Sequence, residues 1–527
     1  MKRIGIDVGG TNTYAVLISG YDVLASVKAP TSENVTGGIL AALSALRREV
    51  DVGDDVEAVL IGTTHFINAV VQRRSLAKVG AIRIAAPATT ELPPLCDWPT
   101  DLGRIIDGGS WIVEGGFDYD GRRFMPLDRA AIRKACRDIR NNGLAHVAIT
   151  GMFSPLNAED EQIAAGIVLE ECPHASITCS HELGGIGLLE RENAAILNAC
   201  LVHFAQETIE AFGRAVASAG IDAPLFITQN DGTAVTADQA AARPVYSFVS
   251  GPTNSMRGAA FLSGLDDAIV IDVGGTTSDF GNLISGFPRT ANDVVHVGGV
   301  RTLFRMPDLV SIGLGGGSVI NPDTCAIGPT SVGFRLVEKA LVFGGNTLTA
   351  SDIAVAARLA NMGERAKVAH LPARLVDGVL ARARTTIEDY VDRTTTQAGD
   401  VTLLAVGGGS FFVPEKLAGV SRVVRVEHGD CANAIGAAIA QIAGEVDQVF
   451  QGLTRPEAIA QARELAEQRA ITAGADAKTL SLVEAEDIPI AYLPGNALRV
   501  KVKVVGEIAN LQRGVRTDAG QVPSVYA

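Results

Sequence analysis

The sequence predicts an α/β fold built from two equivalent halves, and three observations lead to this prediction. Hydrophobic residues make up 47% of the 527 residues, which supplies a large buried core. Short apolar runs of strand type alternate with longer stretches whose apolar residues recur at helical spacing. One strand–turn–strand unit occurs twice, reading D-V-G-G-T-N-T-Y-A-V-L-I-S-G from Asp7 and D-V-G-G-T-T-S-D-F-G-N-L-I-S-G from Asp272.

The first predicted domain covers residues 1–180 and begins with the first repeat. An apolar strand at residues 3–6 leads into the turn, and a helix is expected around residues 39–50. The stretch 108–121, with its glycine, aspartate and tyrosine residues, is interpreted as a loop or hairpin. Further buried strands are predicted at residues 56–62, 79–85 and 147–150.

The second predicted domain covers residues 181–445. A long helical stretch runs to Ala219, the second repeat follows, and a buried strand then enters G-G-G-S from Gly407. Beyond it the sequence pattern changes to a charged helix and then a strand at residues 498–505. In that strand polar and apolar residues alternate, as expected for a half-exposed strand. We therefore predict a small α+β appendage over residues 446–527.

Charge and apolar patterning exclude several classes of function. The chain has 45 basic and 59 acidic residues, and the net charge of −14 opposes binding to nucleic acid or anionic lipid. No run approaches the ~18–20 apolar residues of a membrane span, and Met1-Lys2-Arg3 begins no secretory signal. Seven scattered cysteines without a C-x-x-C pair argue against a disulfide framework and a zinc site. We expect a cytoplasmic protein with reduced thiols.

The two Asp-Val-Gly-Gly-Thr turns are the strongest chemical signal. Paired glycines expose consecutive backbone N–H groups, which form a cradle for phosphate oxygens. An aspartate at the end of each preceding strand, Asp7 and Asp272, is placed to hold Mg²⁺, which prefers hard oxygen ligands. Two such turns facing each other would hold one polyphosphate from both sides. The predicted phosphate-binding residues are Gly9, Gly10, Thr11, Thr13, Gly274, Gly275, Thr276 and Thr277.

Other glycine-rich turns and one histidine add weaker signals. A strand followed by Gly407, Gly408, Gly409 and Ser410 suits close packing of backbone against a nucleobase or ribose. Gly315 and Gly316 belong to another such loop, which is predicted to approach the phosphates or the substrate. A turn with His65 precedes a helix and offers an acid–base or substrate-binding group, although a lone histidine is more often structural. No P-loop, G-x-S-x-G or H-E-x-x-H motif occurs.

The ordered set of turns at Asp7, Asp272 and Gly407 resembles the actin-like ATPase/sugar kinase superfamily. Within it, the chain is similar to the hydantoinase A/oxoprolinase family over about residues 3–445. It departs from the long members in S-G-P-T-N-S from Ser250 and in its shorter adenosine loop, and it resembles a short branch without the hydrolytic-type half. The stretches that carry the resemblance are residues 5–13, 62–64 with Asn68, 197–201, 250–252, 270–279 and 312–318.

The resemblance implies two duplicated RNase H-like domains around a nucleotide cleft, with ATP and Mg²⁺ as cofactors. It implies ATP-dependent opening of a cyclic amide, such as a hydantoin, 5-oxoproline or another lactam, by phosphorylation of the amide oxygen. Asp7 and Asp272 would order Mg²⁺, Asp279 would orient water or substrate, and Gly407 to Ser410 would hold adenosine. A separately encoded partner subunit, in a homo- or hetero-oligomer, is expected to help complete the reaction.

Three other functions fit the same residues. A small-molecule kinase of the same fold would stop at a phosphorylated product. An ATP-dependent regulatory binding module would switch a partner protein without turnover of a small substrate. A reductase activator would need cysteines for an iron–sulfur cluster, and the scattered cysteines offer no obvious set. A carboxylase-like or racemase-like activity in place of hydrolysis is also left open by the sequence.

Overall fold

The computed structural model confirms a mixed α/β fold in which strands and helices alternate along most of the chain. It describes residues 2–9, 12–30, 35–53, 55–291, 294–303, 306–396, 398–490 and 497–509.

The helices of the described residues include one of 31 residues, α6, close to the long helix predicted up to Ala219. In chain order they are α1 (Val35–Glu49), α2 (His65–Gln72), α3 (Thr100–Ile106), α4 (Arg129–Asn141), α5 (Glu159–Glu171), α6 (Leu188–Ser218), α7 (Ala237–Ala242), α8 (Ser250–Ser263), α9 (Leu336–Lys339), α10 (Ala350–Ala356), α11 (Ala373–Thr394), α12 (Ala432–Ala438) and α13 (Arg455–Thr472).

The strands of the described residues form three larger sheets and two small hairpins. In chain order they are β1 (Lys2–Val8), β2 (Asn12–Ser19), β3 (Asp22–Pro30), β4 (Val56–Thr63), β5 (Val79–Ala86), β6 (Asp107–Glu114), β7 (His146–Gly151), β8 (Ser176–Cys179), β9 (Leu225–Thr228), β10 (Thr233–Thr236), β11 (Ala268–Val273), β12 (Ser278–Ile284), β13 (Phe287–Pro288), β14 (Val295–Val297), β15 (Val300–Thr302), β16 (Leu309–Ile312), β17 (Ser318–Ile320), β18 (Ile327–Ser331), β19 (Val401–Val406), β20 (Val420–Arg425), β21 (Gln441–Phe450), β22 (Ser481–Pro489) and β23 (Leu498–Gly506).

Each sequence repeat forms the centre of its own sheet. The first sheet contains the order β3-β2-β1-β4-β9, in which β1 pairs antiparallel with β2 and parallel with β4. The second sheet has the order β13-β12-β11-β19-β20, and β11 likewise pairs antiparallel with β12 and parallel with β19. The outer pairs also agree, since β2–β3 and β12–β13 are antiparallel while β4–β9 and β19–β20 are parallel. The two repeats therefore have the same strand order and directions.

The first sheet continues beyond this shared core through β10, β21, β23 and β22. The segment predicted as a small C-terminal appendage contributes α13 and two strands, but the strands extend this sheet rather than forming a separate one. The sheet thus takes strands from all three predicted segments, 1–180, 181–445 and 446–527. The boundaries between those segments stay a prediction.

A third sheet, ordered β6-β5-β7-β8, is parallel throughout and packs against α4 and α5. The interpretation of residues 108–121 as a loop or hairpin was wrong over the first half of that stretch. Residues 107–114 form β6, which pairs with β5 over most of its length. The glycines at 108 and 109 hid the strand, because glycine is uncommon in strand interiors.

Two helices that are distant in the sequence, α8 and α12, meet at backbone distance. A Cβ built on Gly258 of α8 would lie 1.9 Å from Ala432 O, and one on Gly436 of α12 would lie 1.8 Å from Asn254 O. A Cβ built on Gly5 of β1 would lie 2.0 Å from Ala434 O, so α12 also rests directly on the first hairpin. Only glycine permits such approaches, and they fix the position of the first sheet relative to α8.

Among the described residues, no helix combines the length and apolar character that a transmembrane segment requires.

A buried ion pair joins the third sheet to α6. The Arg83 guanidinium is fully buried, and its Nε donates to Glu192 Oε1 at 2.8 Å while a second nitrogen donates to Oε2. Replacing Glu192 by alanine is expected to lower the free energy of unfolding by about 3–5 kcal/mol, because an unpaired charge would stay buried. Chemical denaturation measures this loss. The exposed Glu207→Ala variant serves as the control and should change the free energy by less than about 0.5 kcal/mol.

Candidate functional site

The turns of the two repeats are closed by the same hydrogen bond. Gly9 N donates to Asn12 O at 3.1 Å in the first turn, and Gly274 N donates to Thr277 O at 2.9 Å in the second. Within the described residues, the amides of Gly275, Thr276 and Thr277 donate no hydrogen bond, and both threonines are exposed. These three amides therefore stay available to an anion. Gly10 and Thr11 lie outside the described residues.

Asp7 is 5% exposed and stands at the end of β1. Asn433 Nδ2 donates to its Oδ2 at 2.8 Å, whereas its buried Oδ1 has no hydrogen-bond partner among the described residues. A Cβ built on Gly62 would lie 3.0 Å from Oδ1, and one on Gly251 would lie 3.5 Å away. The Gly62 side is closely packed, since a Cβ there would also lie 2.4 Å from Asn254 Nδ2, whereas the missing side chain of Gly251 leaves space beside the oxygen that lacks a donor.

Asp272 shares this environment with Asp7. The first turn of α8 brings Gly251 to Asp7, and Ser255, one helical turn later, hydrogen bonds to Asp272. Burial and, to a smaller extent, the negative charge of Asp272 raise the pKa of Asp7 to about 7, although the hydrogen bond from Asn433 opposes the shift. Burial likewise raises the pKa of Asp272. The structure therefore brings the two predicted metal-binding aspartates together.

Each of these aspartates begins a row of side chains that crosses its sheet. Asp7 pairs with Tyr14 on β2, and Tyr14 pairs with Lys28 on β3. Asp272 pairs with Asp279 on β12, and Asp279 pairs with Ser311 on β16. Directly paired residues point to the same face of a sheet, so each row lies on one face. We call the region between the rows the two-hairpin site, defined by Asp7, Tyr14, Asp272, Asp279 and Gly408.

Asp279 is the second carboxyl group in the row that begins at Asp272. Its carboxylate accepts a hydrogen bond from Ser311 Oγ. Burial, with a smaller contribution from the charge of Asp272, raises the pKa of Asp279 to about 7, although the hydrogen bond from Ser311 opposes the shift. A carboxyl group with this pKa exchanges a proton readily near neutral pH.

The Gly407 loop lies against the second turn. Gly407 has a φ of +85°, and a Cβ built on it would lie 2.2 Å from Asp272 Oδ1. Gly409 N donates to Val273 O at 2.7 Å, and Ser410 N donates to Gly407 O at 3.1 Å. Gly408 is the exposed residue of the three glycines. The loop thus presents Gly408 to the site, while Gly407 and Gly409 hold it to β11.

Three of the predicted cofactor contacts have their donor group used within the chain or buried. Gly315 N donates to Ser318 Oγ at 2.9 Å, and Gly316 N donates to Gly274 O at 3.0 Å. Because these amides are already used within the chain, Gly315 and Gly316 buttress the second turn rather than offering donors to a phosphate. Thr13 is fully buried in the first hairpin, so its hydroxyl does not reach the surface of the turn.

His65 begins α2 directly after β4. Its Nδ1 lies 2.9 Å from Thr63 Oγ1, and its backbone N donates to the same oxygen at 3.2 Å. Burial lowers the pKa of His65, which favours the neutral imidazole. Thr63 N in turn donates to Ser250 Oγ at 3.1 Å, so the end of β4 is tied to α8. Among the described residues His65 hydrogen bonds to Thr63 and not to an aspartate, which favours a structural role.

A second group of possible metal ligands lies outside this region. One ligand atom from each of Glu161, Cys179 and His181 lies within 4.8 Å of the others. However, the Glu161 carboxylate already accepts from Gly151 N at 2.7 Å, Ser180 Oγ at 2.6 Å, and His181 Nδ1 at 2.6 Å. Burial also raises the pKa of the Cys179 thiol, which disfavours the thiolate that metals bind. The cluster therefore has the properties of a structural hydrogen-bond network.

Three residues near the two aspartates were not predicted from the sequence, namely Asn433, Tyr14 and Lys28. No local signal marks Asn433, which lies 426 positions from Asp7 along the chain. Tyr14 could have been found from the sequence, because it follows Asp7 by the same number of residues by which Asp279 follows Asp272. Aligning the repeats residue by residue shows that the two halves carry different chemistry at this position.

The raised pKa values predict an unusual pH dependence of stability. Folded Asp7 keeps its proton up to about pH 7, whereas an unfolded aspartate loses it near pH 3.8. Because the folded state then binds more protons between these values, stability should fall as pH rises from 4 to 7. At pH 8, Asp7→Asn should be more stable than wild type by roughly 2–4 kcal/mol, at about 1.4 kcal/mol per pKa unit.

Thermal unfolding of the nucleotide-free protein from pH 5 to 8 measures this dependence. The melting temperature of wild type should fall across the range, and that of Asp7→Asn should fall less. A wild-type melting temperature that rises steadily with pH would contradict the raised pKa values.

Comparison with known proteins agrees with this architecture. Residues 3–172 match the hydantoinase/oxoprolinase N-terminal region, and residues 191–361 match the hydantoinase/oxoprolinase family. The caprolactamase subunit alpha of Pseudomonas jessenii is 27% identical over 361 residues, covering 63% of this chain and 51% of that protein. The acetophenone carboxylase gamma subunit of Aromatoleum aromaticum (strain DSM 19018 / LMG 30748 / EbN1) is 24% identical over 390 residues, covering 67% and 52%.

One solved structure shows the same fold over nearly the whole chain. The crystal structure of the ATP-dependent caprolactamase from Pseudomonas jessenii superposes with a TM-score of 0.77 at 20% identity, covering 97% of this chain and 88% of that one. The chain spans about half the length of the two curated relatives in the sequence alignments. Since the family matches run from residue 3 to residue 361 with a short gap, the chain belongs to the hydantoinase/oxoprolinase family.

Proposed function

We propose that this chain binds Mg·ATP between its two hairpins and uses it to activate a cyclic amide for ring opening. The observation that carries the proposal is the meeting of Asp7 and Asp272, each from an equivalent hairpin, around a buried carboxylate oxygen without a donor. We infer that the two sheets are the halves of a duplicated RNase H-like fold, and their shared strand order supports this inference.

The phosphate chain would lie against the two turns. The amides of Gly275, Thr276 and Thr277 point away from any partner in the described chain, and the hydroxyls of both threonines are exposed. Backbone N–H groups in such a turn bind phosphate oxygens without the desolvation cost of a charged side chain. The exposed Gly408 leaves a flat surface for the nucleoside, while Gly407 and Gly409 hold that surface in place.

The donor set fits a magnesium ion. Asp7 and Asp272 offer carboxylate oxygens, which are the ligands Mg²⁺ prefers. Burial is the main cause that raises the pKa of both groups, and a divalent cation would favour their charged forms. When bound there with ATP, Mg²⁺ would neutralise charge on the phosphate oxygens during phosphoryl transfer.

The chemistry requires a good leaving group, because an amide is stabilised by resonance. Transfer of the γ-phosphoryl group of ATP to the amide oxygen would release ADP and activate the ring carbon. Attack of one water on that carbon would then break the ring C–N bond, with the nitrogen leaving as the amine, and leave an acyl phosphate. A second water would hydrolyse the acyl phosphate to the ring-opened acid and inorganic phosphate. Asp279, with its pKa raised to about 7, would accept a proton from water or substrate. Catalysis by the rest of the site is positioning and charge stabilisation.

Two further expectations follow from the relatives. Both curated relatives are named as subunits, which supports the presence of a partner subunit for this chain. One relative is a caprolactamase subunit and the other a carboxylase subunit, so a carboxylase-type reaction is the second candidate. A cytoplasmic location stays a prediction.

The test is ATP hydrolysis by the purified protein in the presence of hydantoin, 5-oxoproline or caprolactam. The assay is run with and without the protein encoded by the neighbouring gene. We expect one of these rings to stimulate phosphate release and to yield the ring-opened acid in equal amount. A stable phosphorylated product would indicate a kinase instead, and stimulation by bicarbonate with a ketone would indicate a carboxylase. ATP binding with no turnover under any condition would refute the enzymatic proposal.

A further inference from the structure

Lys28 reaches from the first half of the molecule to the adenosine-type loop of the second. A Cβ built on Gly408 would lie 3.8 Å from Lys28 Nζ and 3.8 Å from Tyr14 Oη. Lys28 belongs to β3, and its register partner Tyr14 connects it to Asp7 on the same face of the sheet. The ammonium group therefore stands beside the exposed part of the loop, at the edge of the two-hairpin site.

Lys28 is exposed, and among the described residues no carboxylate forms an ion pair with it. Its ammonium lies 5.5 Å from the centre of the Tyr14 ring, a distance typical of a cation–π contact. The phenol of Tyr14 remains protonated, because burial and nearby acidic groups raise its pKa. Tyr14 thus supports the lysine stem and adds a neutral hydroxyl donor beside it.

A cation at this position would stabilise the negative charge of a bound nucleotide beside the acidic side chains of the site. Asp7, Asp272 and Asp279 place three carboxyl groups in the site, and a nucleoside polyphosphate would bring negative charge beside them. The other cations in the described residues of the first hairpin, Lys2 and Arg3, lie at the opposite end of β1 and pair with carboxylates. The described residues of the second hairpin, 268–286, and of the loop 407–413 contain no lysine or arginine.

We propose that Lys28 is a nucleotide-binding residue whose ammonium contacts a phosphate oxygen of the bound nucleoside polyphosphate, with Tyr14 as its support. This inference rests on the proposed binding of ATP at the two-hairpin site. It assigns different tasks to the two rows, because the row from Asp7 supplies positive charge to the phosphates, whereas the row from Asp272 supplies the acid–base carboxyl group. Lys28 acts on binding and orientation rather than on proton transfer.

Calorimetric titration with adenosine, ADP and ATP tests the assignment. In Lys28→Ala the dissociation constants for ADP and ATP should rise about 10- to 100-fold, the range expected for one charge-assisted contact, while that for adenosine stays unchanged. Lys28→Arg should retain the affinities of wild type within about threefold. Lys134→Ala is the matched control, because this lysine is exposed on α4 and should leave all three constants unchanged.

The outcomes separate this inference from the proposed function. If wild type binds ATP and Lys28→Ala binds ADP and ATP equally well, the phosphate contact is refuted and the proposed function stands. If the affinity for adenosine falls in Lys28→Ala by the same factor as the affinity for ATP, Lys28 shapes the nucleoside-binding surface instead. That result also overturns the assignment. If wild type binds no nucleotide, the proposed function fails and this inference fails with it. Melting temperatures of the variants show whether each one is folded.

Discussion

Replacing Asp7 or Asp272 by asparagine is expected to lower ATP turnover by a factor of about 10³ or more, since each change removes a metal-binding charge from the site of phosphoryl transfer. The change is nearly isosteric, and at Asp7 the amide oxygen can still accept from Asn433. Steady-state phosphate release at saturating Mg·ATP and cyclic amide measures the loss. Mg²⁺ binding, measured as the shift in melting temperature that the ion causes, should weaken in parallel.

The pair should also behave as a unit. Because both carboxylates are proposed to serve one ion, the double variant should lose little more activity than either single variant. The exposed Asp377→Asn variant on α11 is the control and should retain full turnover. Retention of most of the activity by both single variants would refute the metal-binding roles, and full additivity would indicate two independent sites.

The parts of the site that the sequence revealed are those built from contiguous residues. Each hairpin is a local structure in which glycines, strand and aspartate all fall within a short stretch, so the pattern identifies it directly. The repeat added a second, independent signal and led to the prediction that both turns meet. The structure confirms the mixed α/β fold and places Asp7 near Asp272.

The parts that the sequence did not reveal depend on packing between distant segments. Asn433 reaches Asp7 because α12 rests on β1 through the glycine at position 5, and no spacing rule connects the two. The role of Gly316 was also hidden, because a glycine-rich loop looks the same whether its amides bind a phosphate or a neighbouring turn. The first sheet could not be assembled from domain boundaries, since its last strands come from the end of the chain.

Replacing Gly407 by alanine is the second change expected to have a large effect. The new Cβ would lie 2.2 Å from Asp272 Oδ1 and 2.5 Å from Val273 O, distances at which something must move. The φ of +85° adds a strain of about 1–2 kcal/mol for a residue with a side chain. Because a displacement of about 1 Å at a catalytic group costs about 100-fold in rate, turnover should fall by at least that factor.

The Gly419→Ala variant separates the effect of backbone strain from the effect of the steric collision. Gly419 has a φ of +74°, but a Cβ built there meets nothing within 4 Å, so this variant carries the backbone strain without the collision. It should lose about 1 kcal/mol of stability and keep its turnover. If Asp272 acts as proposed, Gly407→Ala should reproduce the profile of Asp272→Asn, with weakened Mg²⁺ dependence and lost phosphate release. Wild-type turnover in Gly407→Ala would mean that the position of Asp272 does not matter for the reaction, and the proposed site would have to be abandoned.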